Sequence, residues 1–258
     1  MRVMTFNLRT DFILDINNRW KDRSHIACEL ITKYECDIIG VQEFTSSMYE
    51  DISRELSNYR IVGKPRAKKI SSERNDILVS EKHEILESNT FWLSESPEEV
   101  GSSIWYSIYP RICTTAVIRL SNNKVLRVYN THLDCFFPKA RQYGLNKIEH
   151  YIGRQYEEDG LPVILMGDFN ATPNSKLIKK FSESTASNKK FIAVQESERN
   201  IYNMSTMSKF KGSKKGRHID YIFVSEDFDI INTKIVDYNN LGKYPSDHYP
   251  ILADLKVR

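Results

Sequence analysis

No two cysteines in this sequence are spaced to hold a metal. Cys28, Cys36, Cys113 and Cys135 form no CxxC pair and no zinc-like pattern. Cys28 and Cys36 fall in or beside one predicted helix, poor geometry for a bridge, so reduced and mostly structural thiols are expected. The opening "MRVMTFNL" has no signal-peptide pattern and reads as a core strand from its third residue. No apolar run approaches membrane-spanning length, so a soluble, cytoplasmic protein without membrane partners is expected. No Pro/Gly/Ser linker divides the chain and no internal repeat is evident, which leaves one domain over residues 1–258. A large charge surplus is also missing. The net charge is +3, whereas a dedicated duplex-DNA binder carries a clearer basic excess. Two local clusters stand out, "KPRAKK" (64–69) and "KFKGSKKGR" (209–217). Each reads as a solvated loop, with a phosphate-facing patch as the alternative.

What is present is material for a large core: 40% hydrophobic residues, 11% of the chain aromatic. Short apolar strands alternate with amphipathic helices. "VMTFNL" precedes a helix "RWKDRSHIACELITKYE", in which Ile26, Leu30 and Tyr34 recur at helical spacing. "DIIGVQE" reads as a strand and "SSMYEDISRELS" as a helix capped by Ser46 or Ser47. A strand-rich stretch follows: "NDILVS", "HEILESNTFWLS", "CTTAVIRL" and "KVLRVYNTHL", with "SNN" as a hairpin turn between the last two. The helix "KARQYGLNKIEHYIGRQYE" leads into "PVILMGDFN". From about Phe181 to Arg217 the chain is polar and weakly periodic, and mostly loop is expected. "HIDYIFVS", "FDIINTKIVDY" and "HYPILADLKV" close the chain as strands. Hairpins and crossovers together predict a mixed α/β domain.

The strand ends carry the chemistry. In "PVILMGDFNATPNS" an apolar run stops at Asp168 and Asn170; an extended chain would place both side chains on one side. An Asx-type turn is the plain alternative. The pattern recurs: "VMTF" stops at Asn7, "DIIGVQ" at Glu43, and "LRVYNT" at His132 with Asp134 two residues on. "HIDYIF" holds Asp220 inside an apolar strand, and "SDHYP" supplies Asp247 and His248 before the last strand. Taken singly, each has an ordinary reading as a turn residue, a cap or a hydrogen-bonded core histidine. Ligand sites in α/β sheets lie outside strand ends, and six ends of one chemical type converge on such a site. Carboxylates and amide oxygens without a Cys–His cluster are hard ligands, suited to Mg²⁺ or Mn²⁺ rather than zinc. Two histidines and a further acid add proton transfer, the set that in-line attack of water on a phosphoester requires.

In their order, "MTFNLR", "DIIGVQE", "NTHLD", "GDFNATP", "HIDYIF" and "SDHYP" resemble the magnesium-dependent endonuclease/exonuclease/phosphatase superfamily, the deoxyribonuclease I-like proteins. The resemblance implies a four-layer α/β/β/α sandwich, two mixed sheets packed face to face with helices outside. It implies Glu43 as the main Mg²⁺ ligand with Asn7 beside it, and Asp247 near the metal. Asp168 would orient or deprotonate the attacking water, with Asn170 contacting the phosphate. His248 would stand at the phosphate, ordered by Asp220, and His132 would hydrogen-bond a phosphate oxygen. Whether Asp168 or His248 is the base stays open at the level of sequence. The segment "FWLSESPEEVGSSIWYSIYPRICTTAVI" (91–118) is similar to a bacterial branch that includes phosphatases of phosphorylated disaccharides, maltose 6′-phosphate among them. On that resemblance Arg111 would bind substrate phosphate, a surface arginine at a strand start being the alternative. The aromatic stretch "IWYSIYP" beside Arg111, Trp105 and Tyr106 included, would wall the site, with sheet packing as its other role. The branch's glycine-rich segment is replaced here by "GKPRAKKISSERNDILV", which leaves Glu73 and Asn75 as rim residues. The expected activity is that of a metal-dependent phosphomonoesterase acting on a small soluble phosphate such as a sugar phosphate. The alternatives are a nuclease of the same fold, acting on DNA or RNA, and an inactive binding module.

Overall fold

The computed structural model describes residues 1–69, 72–183, 190–198 and 200–258. In chain order the elements are β1 (Arg2–Asn7), α1 (Trp20–Tyr34), β2 (Ile38–Gln42), α2 (Ser46–Glu55), β3 (Tyr59–Val62), β4 (Ile77–Ser80), β5 (Glu84–Trp92), β6 (Ile112–Arg119) and β7 (Val125–His132). They continue with α3 (Pro138–Asp159), β8 (Val163–Asp168), α4 (Lys176–Glu183), β9 (Phe191–Ala193), β10 (Asp220–Ser225), β11 (Phe228–Ile235) and β12 (Ile251–Val257). Two six-stranded mixed sheets result, ordered β11-β12-β1-β2-β4-β3 and β5-β6-β7-β8-β10-β9. Only β1–β2 and β7–β8 pair in parallel among the strand pairs described.

Strand alternation sorts the apolar residues into three cores. Val3, Ile38, Ile77, Ala116, Val128, Ile164, Met166, Ile222 and Ile251 pack between the sheets. Their neighbours Met4, Phe6, Ile39 and Val41 point the other way, against Ala27, Leu30 and Ile31 of α1 and Met48 and Ile52 of α2. Tyr129, Leu165, Tyr221 and Phe223 face Leu145, Ile148 and Ile152 of α3 and Leu177, Ile178 and Phe181 of α4. The four-layer sandwich is therefore the arrangement observed. All four cysteines are free; Cys135 alone is exposed. Among the described residues, no helix is long and apolar enough to cross a membrane.

Three local features differ from the sequence reading. Helix α2 is capped by Thr45, whose extended backbone lets its hydroxyl accept from the Met48 N–H, one residue before the expected serines. The edge strand β3 has only Tyr59 fully buried and so carries no clear alternation. Helix α4 and strand β9 fall around the stretch expected to be loop; α4 is short, and its apolar face is only Leu177, Ile178 and Phe181. Within that stretch, residues 184–189 and 199 lie outside the described residues.

A buried polar layer caps the core between the sheets at one end. Gln42 donates to Asn130 Oδ1 across the gap at 2.7 Å and to Thr5 Oγ1 at 3.1 Å. Asn130 in turn donates to the carbonyls of Val41 and Asp76. Gly40 makes room for this amide: a Cβ there would lie 2.8 Å from Asn130 Cγ.

Candidate active site

Just beyond this layer, the inward-facing row of each strand continues as polar side chains. On β1 the row Val3, Thr5 ends at Asn7. On β7 Val128 and Asn130 end at His132, and on β8 Ile164 and Met166 end at Asp168. Asp220 begins β10 directly opposite Asp168, which also pairs in register with His132. The two sheets meet where Asn7 Nδ2 donates to Asp168 Oδ2 at 3.1 Å and to Glu43 Oε1 at 3.1 Å.

Glu43 reaches this point against alternation. It follows the inward Gln42 and would face outward in a continuing strand. Its left-handed backbone (φ 55°) turns the carboxylate back, where Oε2 accepts from the Thr10 N–H at 3.0 Å. Asn170 also departs from extended geometry, with φ 49°. Its N–H donates to Asp168 Oδ1 at 2.8 Å, an Asx turn of the kind the sequence allowed. The turn and the site are one structure: Asn170 Nδ2 donates to Leu133 O at 3.1 Å and to His132 Nε2 at 3.0 Å. Because the amide nitrogen faces a carbonyl, His132 Nε2 is assigned as acceptor and its proton lies on Nδ1. That Nδ1 is buried and has no hydrogen-bond partner.

His248 stands between two acids, with Nδ1 2.9 Å from Asp220 Oδ2 and Nε2 3.9 Å from Asp168 Oδ2. Its loop is pinned to β1, since Ser246 Oγ donates to Asn7 O at 2.6 Å and accepts from the His248 N–H at 3.1 Å. Burial disfavours the charged imidazole, but the charges of Asp220, Asp247 and Asp168 outweigh it and hold His248 well above its ordinary pKa. Asp168 moves upward, to about 7, through burial and then the neighbouring Asp220 charge. Burial, then Arg111, pushes His132 well below its ordinary value. Asp247 is raised, mainly by burial.

These residues floor a cleft of about 500 Å³. Glu43, His132, Asp168, Asn170, Asp247 and His248 all line it, while Asn7 and Asp220 support it from behind. Arg111 lines it too, 7% exposed; its Nε lies 3.8 Å from Asp134 Oδ2 and makes no hydrogen bond. Asp134 is committed elsewhere, accepting from the N–H groups of Phe136 and Phe137 and from Ser107 Oγ. Glu73 faces the cleft, paired with Arg66 at 2.8 Å, whereas Asn75 is buried against the Ile112 carbonyl. Trp105 is 89% exposed and does not line the cleft; the aromatic of that loop that does is Tyr109, under the Arg66 guanidinium at 4.8 Å. Tyr106 packs edge-on against Trp105.

Sequence reasoning missed Arg9, Arg66 and Arg217, which also line the cleft, while Tyr109 belongs to the aromatic stretch expected to wall it. Arg9 stood inside "MTFNLR", and Arg66 and Arg217 belong to the two Lys/Arg runs. An acid and a histidine held by a second acid, an unpaired imidazole donor and an incompletely paired guanidinium together form a site for activating water against a phosphoryl group.

Known proteins share this architecture. The model of the endonuclease/exonuclease/phosphatase family matches residues 4–248. A structure of an endonuclease/exonuclease/phosphatase from Bacteroides vulgatus is 28% identical, covers 100% of this chain and 98% of its own, and superposes with a TM-score of 0.88. A mannosyl-6-phosphatase from Bacteroides thetaiotaomicron is 26% identical over 99% of each chain, with a TM-score of 0.89. The human Nocturnin catalytic domain, 16% identical over 100% of this chain and 94% of its own with a TM-score of 0.76, shares the fold. No curated protein matches in sequence. With a family match that spans nearly its whole length, the chain belongs to the endonuclease/exonuclease/phosphatase family and is a phosphoric ester hydrolase.

Proposed function

We propose that this enzyme is a divalent-metal-dependent phosphomonoesterase whose substrate is a small phosphate ester such as a sugar phosphate. One observation carries the reading. Four arginines line the cleft (9, 66, 111 and 217) and face four acids, Glu43, Glu73, Asp168 and Asp247. Such a cleft balances one phosphoryl group plus a bound cation. It offers no uncompensated basic track of the kind that holds a polyanion. The likeness to a mannosyl-6-phosphatase supports the same substrate class.

The donor set fits a hard cation. Glu43 and Asp247 offer carboxylate oxygens to the cleft, and the thiol that lines it, Cys135, accepts from Arg111 Nη2 at 3.3 Å. Asn7 as placed turns its oxygen to the Arg9 N–H at 2.9 Å and its nitrogen to Glu43 and Asp168. Glu43 and Asp247 would therefore hold Mg²⁺ or Mn²⁺, and Asn7 would contribute oxygen only after an amide rotation. Bound there, the ion would neutralise phosphoryl charge and acidify water.

The chain's own groups supply the rest. Arg111 would hold the phosphoryl oxygens, whereas Asn170 Nδ2, spent on Leu133 O and His132 Nε2, and the buried His132 Nδ1 could reach them only after their side chains turn. Asp168, raised toward neutrality, accepts a proton from the attacking water. His248, kept charged by Asp220, stabilises the negative charge that builds in flight.

The test is a panel of sugar phosphates, nucleotides, inositol phosphates and abasic and plain duplex DNA, run with Mg²⁺ and again in excess chelator. Phosphate release from a small sugar phosphate, at higher kcat/KM than any DNA cleavage and abolished by chelation, is the expected result. More efficient nicking of DNA than hydrolysis of every monoester would make the enzyme a nuclease. Full activity in chelator would remove the metal from the mechanism.

A further inference from the structure

One cation of the cleft has no part in the chemistry above. Arg9 follows β1 in a left-handed conformation, φ 56°. Its N–H donates to Asn7 Oδ1 at 2.9 Å, and its carbonyl accepts from the guanidinium of Arg23. Arg23 is 2% exposed and also donates to the carbonyls of Leu8 and Pro245, so the backbone of the loop is clamped between β1 and the segment leading to Asp247. The Arg9 side chain is gripped as firmly. Its Nε and Nη2 donate to the two oxygens of Asp15 at 2.9 and 3.0 Å. The planar fork thus has one edge satisfied and cannot swing away, as a lysine could. Nη1, left unpaired, faces the cleft 3.9 Å from Glu43 Oε2, and the guanidinium comes within 3.9 Å of Asp247 Oδ2 at Nε.

We propose that Arg9 is the fixed second cation of this site, standing where two-metal phosphoesterases place a second ion and restricting the Glu43–Asp247 pair to one divalent metal. The inference rests on the metal-dependent reading above. Two-metal sites set their ions about 3.5–4 Å apart and bridge them with carboxylates. Here a guanidinium already bridges Glu43 and Asp247. A second ion would meet the Arg9 guanidinium at close range, and that repulsion works against its binding.

The experiment reads metal stoichiometry and affinity, without reference to turnover. Mn²⁺ binding is measured by titration calorimetry and by electron paramagnetic resonance of free Mn²⁺, on wild type, Arg9→Gln and Arg9→Lys. Wild type is expected to take one ion. Arg9→Gln should bind its first ion at least about 10-fold more tightly, because a unit of repulsion is gone, and should admit a second. Arg9→Lys keeps the charge without the fork and should fall between the two in first-ion affinity, and near-native circular dichroism of all three proteins separates the effect from a misfolded loop. One ion at unchanged affinity in Arg9→Gln, or two ions in wild type, overturns the role of Arg9 and leaves the phosphoesterase reading standing. No Mn²⁺ binding by wild type overturns both.

Discussion

Replacing Asp220 with Asn probes the proton machinery at its buried end. Asp220 Oδ2 lies 2.9 Å from His248 Nδ1, and the two residues are 1% and 5% exposed. An amide fills the same volume and can still accept from the Nδ1–H, so the geometry should survive while the charge disappears. Two unit charges about 4 Å apart attract by about 4 kcal/mol at an effective dielectric constant of about 20. Burial, until then outweighed, should draw the ring's pKa downward. The linkage has a definite sign. His248 is raised on folding, so its ion pair stabilises the fold fully below the unfolded-state value near 6.5, and the contribution is lost as pH rises through the raised folded value. The stability gap between wild type and Asp220→Asn should therefore be widest at mildly acidic pH and close on the alkaline side. We expect kcat to fall by at least about 10²-fold at neutral pH and part of the loss to be recovered at lower pH, where the ring can again be charged. NMR titration of the imidazole together with a pH profile of kcat reads both effects. Activity within a few-fold of wild type, with an unmoved imidazole titration, would refute the idea that Asp220 works through charge.

Asp168→Asn and His248→Ala should each lower kcat by at least about 10²-fold, and the double variant should lose less than the product of the two, because both act on one transition state; steady-state kinetics on the four proteins decides it, and fully multiplicative losses would mean independent roles. Tyr109→Ala should raise KM for a sugar phosphate more than it lowers kcat, since Tyr109 lines the cleft. Trp105→Ala should leave both constants within a factor of about two, because that side chain is exposed outside the cleft; a larger KM effect at Trp105 than at Tyr109 would reverse the assignment.

Most of the sandwich was legible because its strands obey one rule. Inner-row residues such as Val3, Ile164 and Ile222 alternate with outer-row residues such as Met4, Leu165 and Phe223, and each row reaches a different core. The parts that escaped lack that pattern. In β3 only Tyr59 is fully buried, and α4 turns barely twice. Position along the chain and direction in space were also unequally legible. Asn7, His132 and Asp168 extend an inner row by one step, so finding the strand end finds the direction as well. Glu43 could be found as a strand end, but alternation points it outward. Only a positive φ, which no residue letter other than glycine announces, brings it to Asn7.

The same reasoning explains why the cations of the cleft were harder to see than its acids. An acid ending an apolar strand contrasts with its neighbours, whereas an arginine in a Lys/Arg run does not. Arg66 becomes a cleft residue because Glu73 holds it at 2.8 Å and Tyr109 lies beneath it, partners 7 and 43 positions away in the chain. Arg9 becomes one because Asp15 grips it and Arg23 clamps its carbonyl. Each of these arginines is defined by a tertiary partner, and none by periodicity. That has a consequence for the chemistry. Alternation places Asn7, His132 and Asp168, so those three come together wherever the two sheets meet in register. The arginines of the cleft stand on loops, outside the strands that carry Asn7, His132 and Asp168. Within one unaltered catalytic floor, the loops carrying Arg9, Arg66 and Tyr109 are the place where a nuclease and a sugar phosphatase would part.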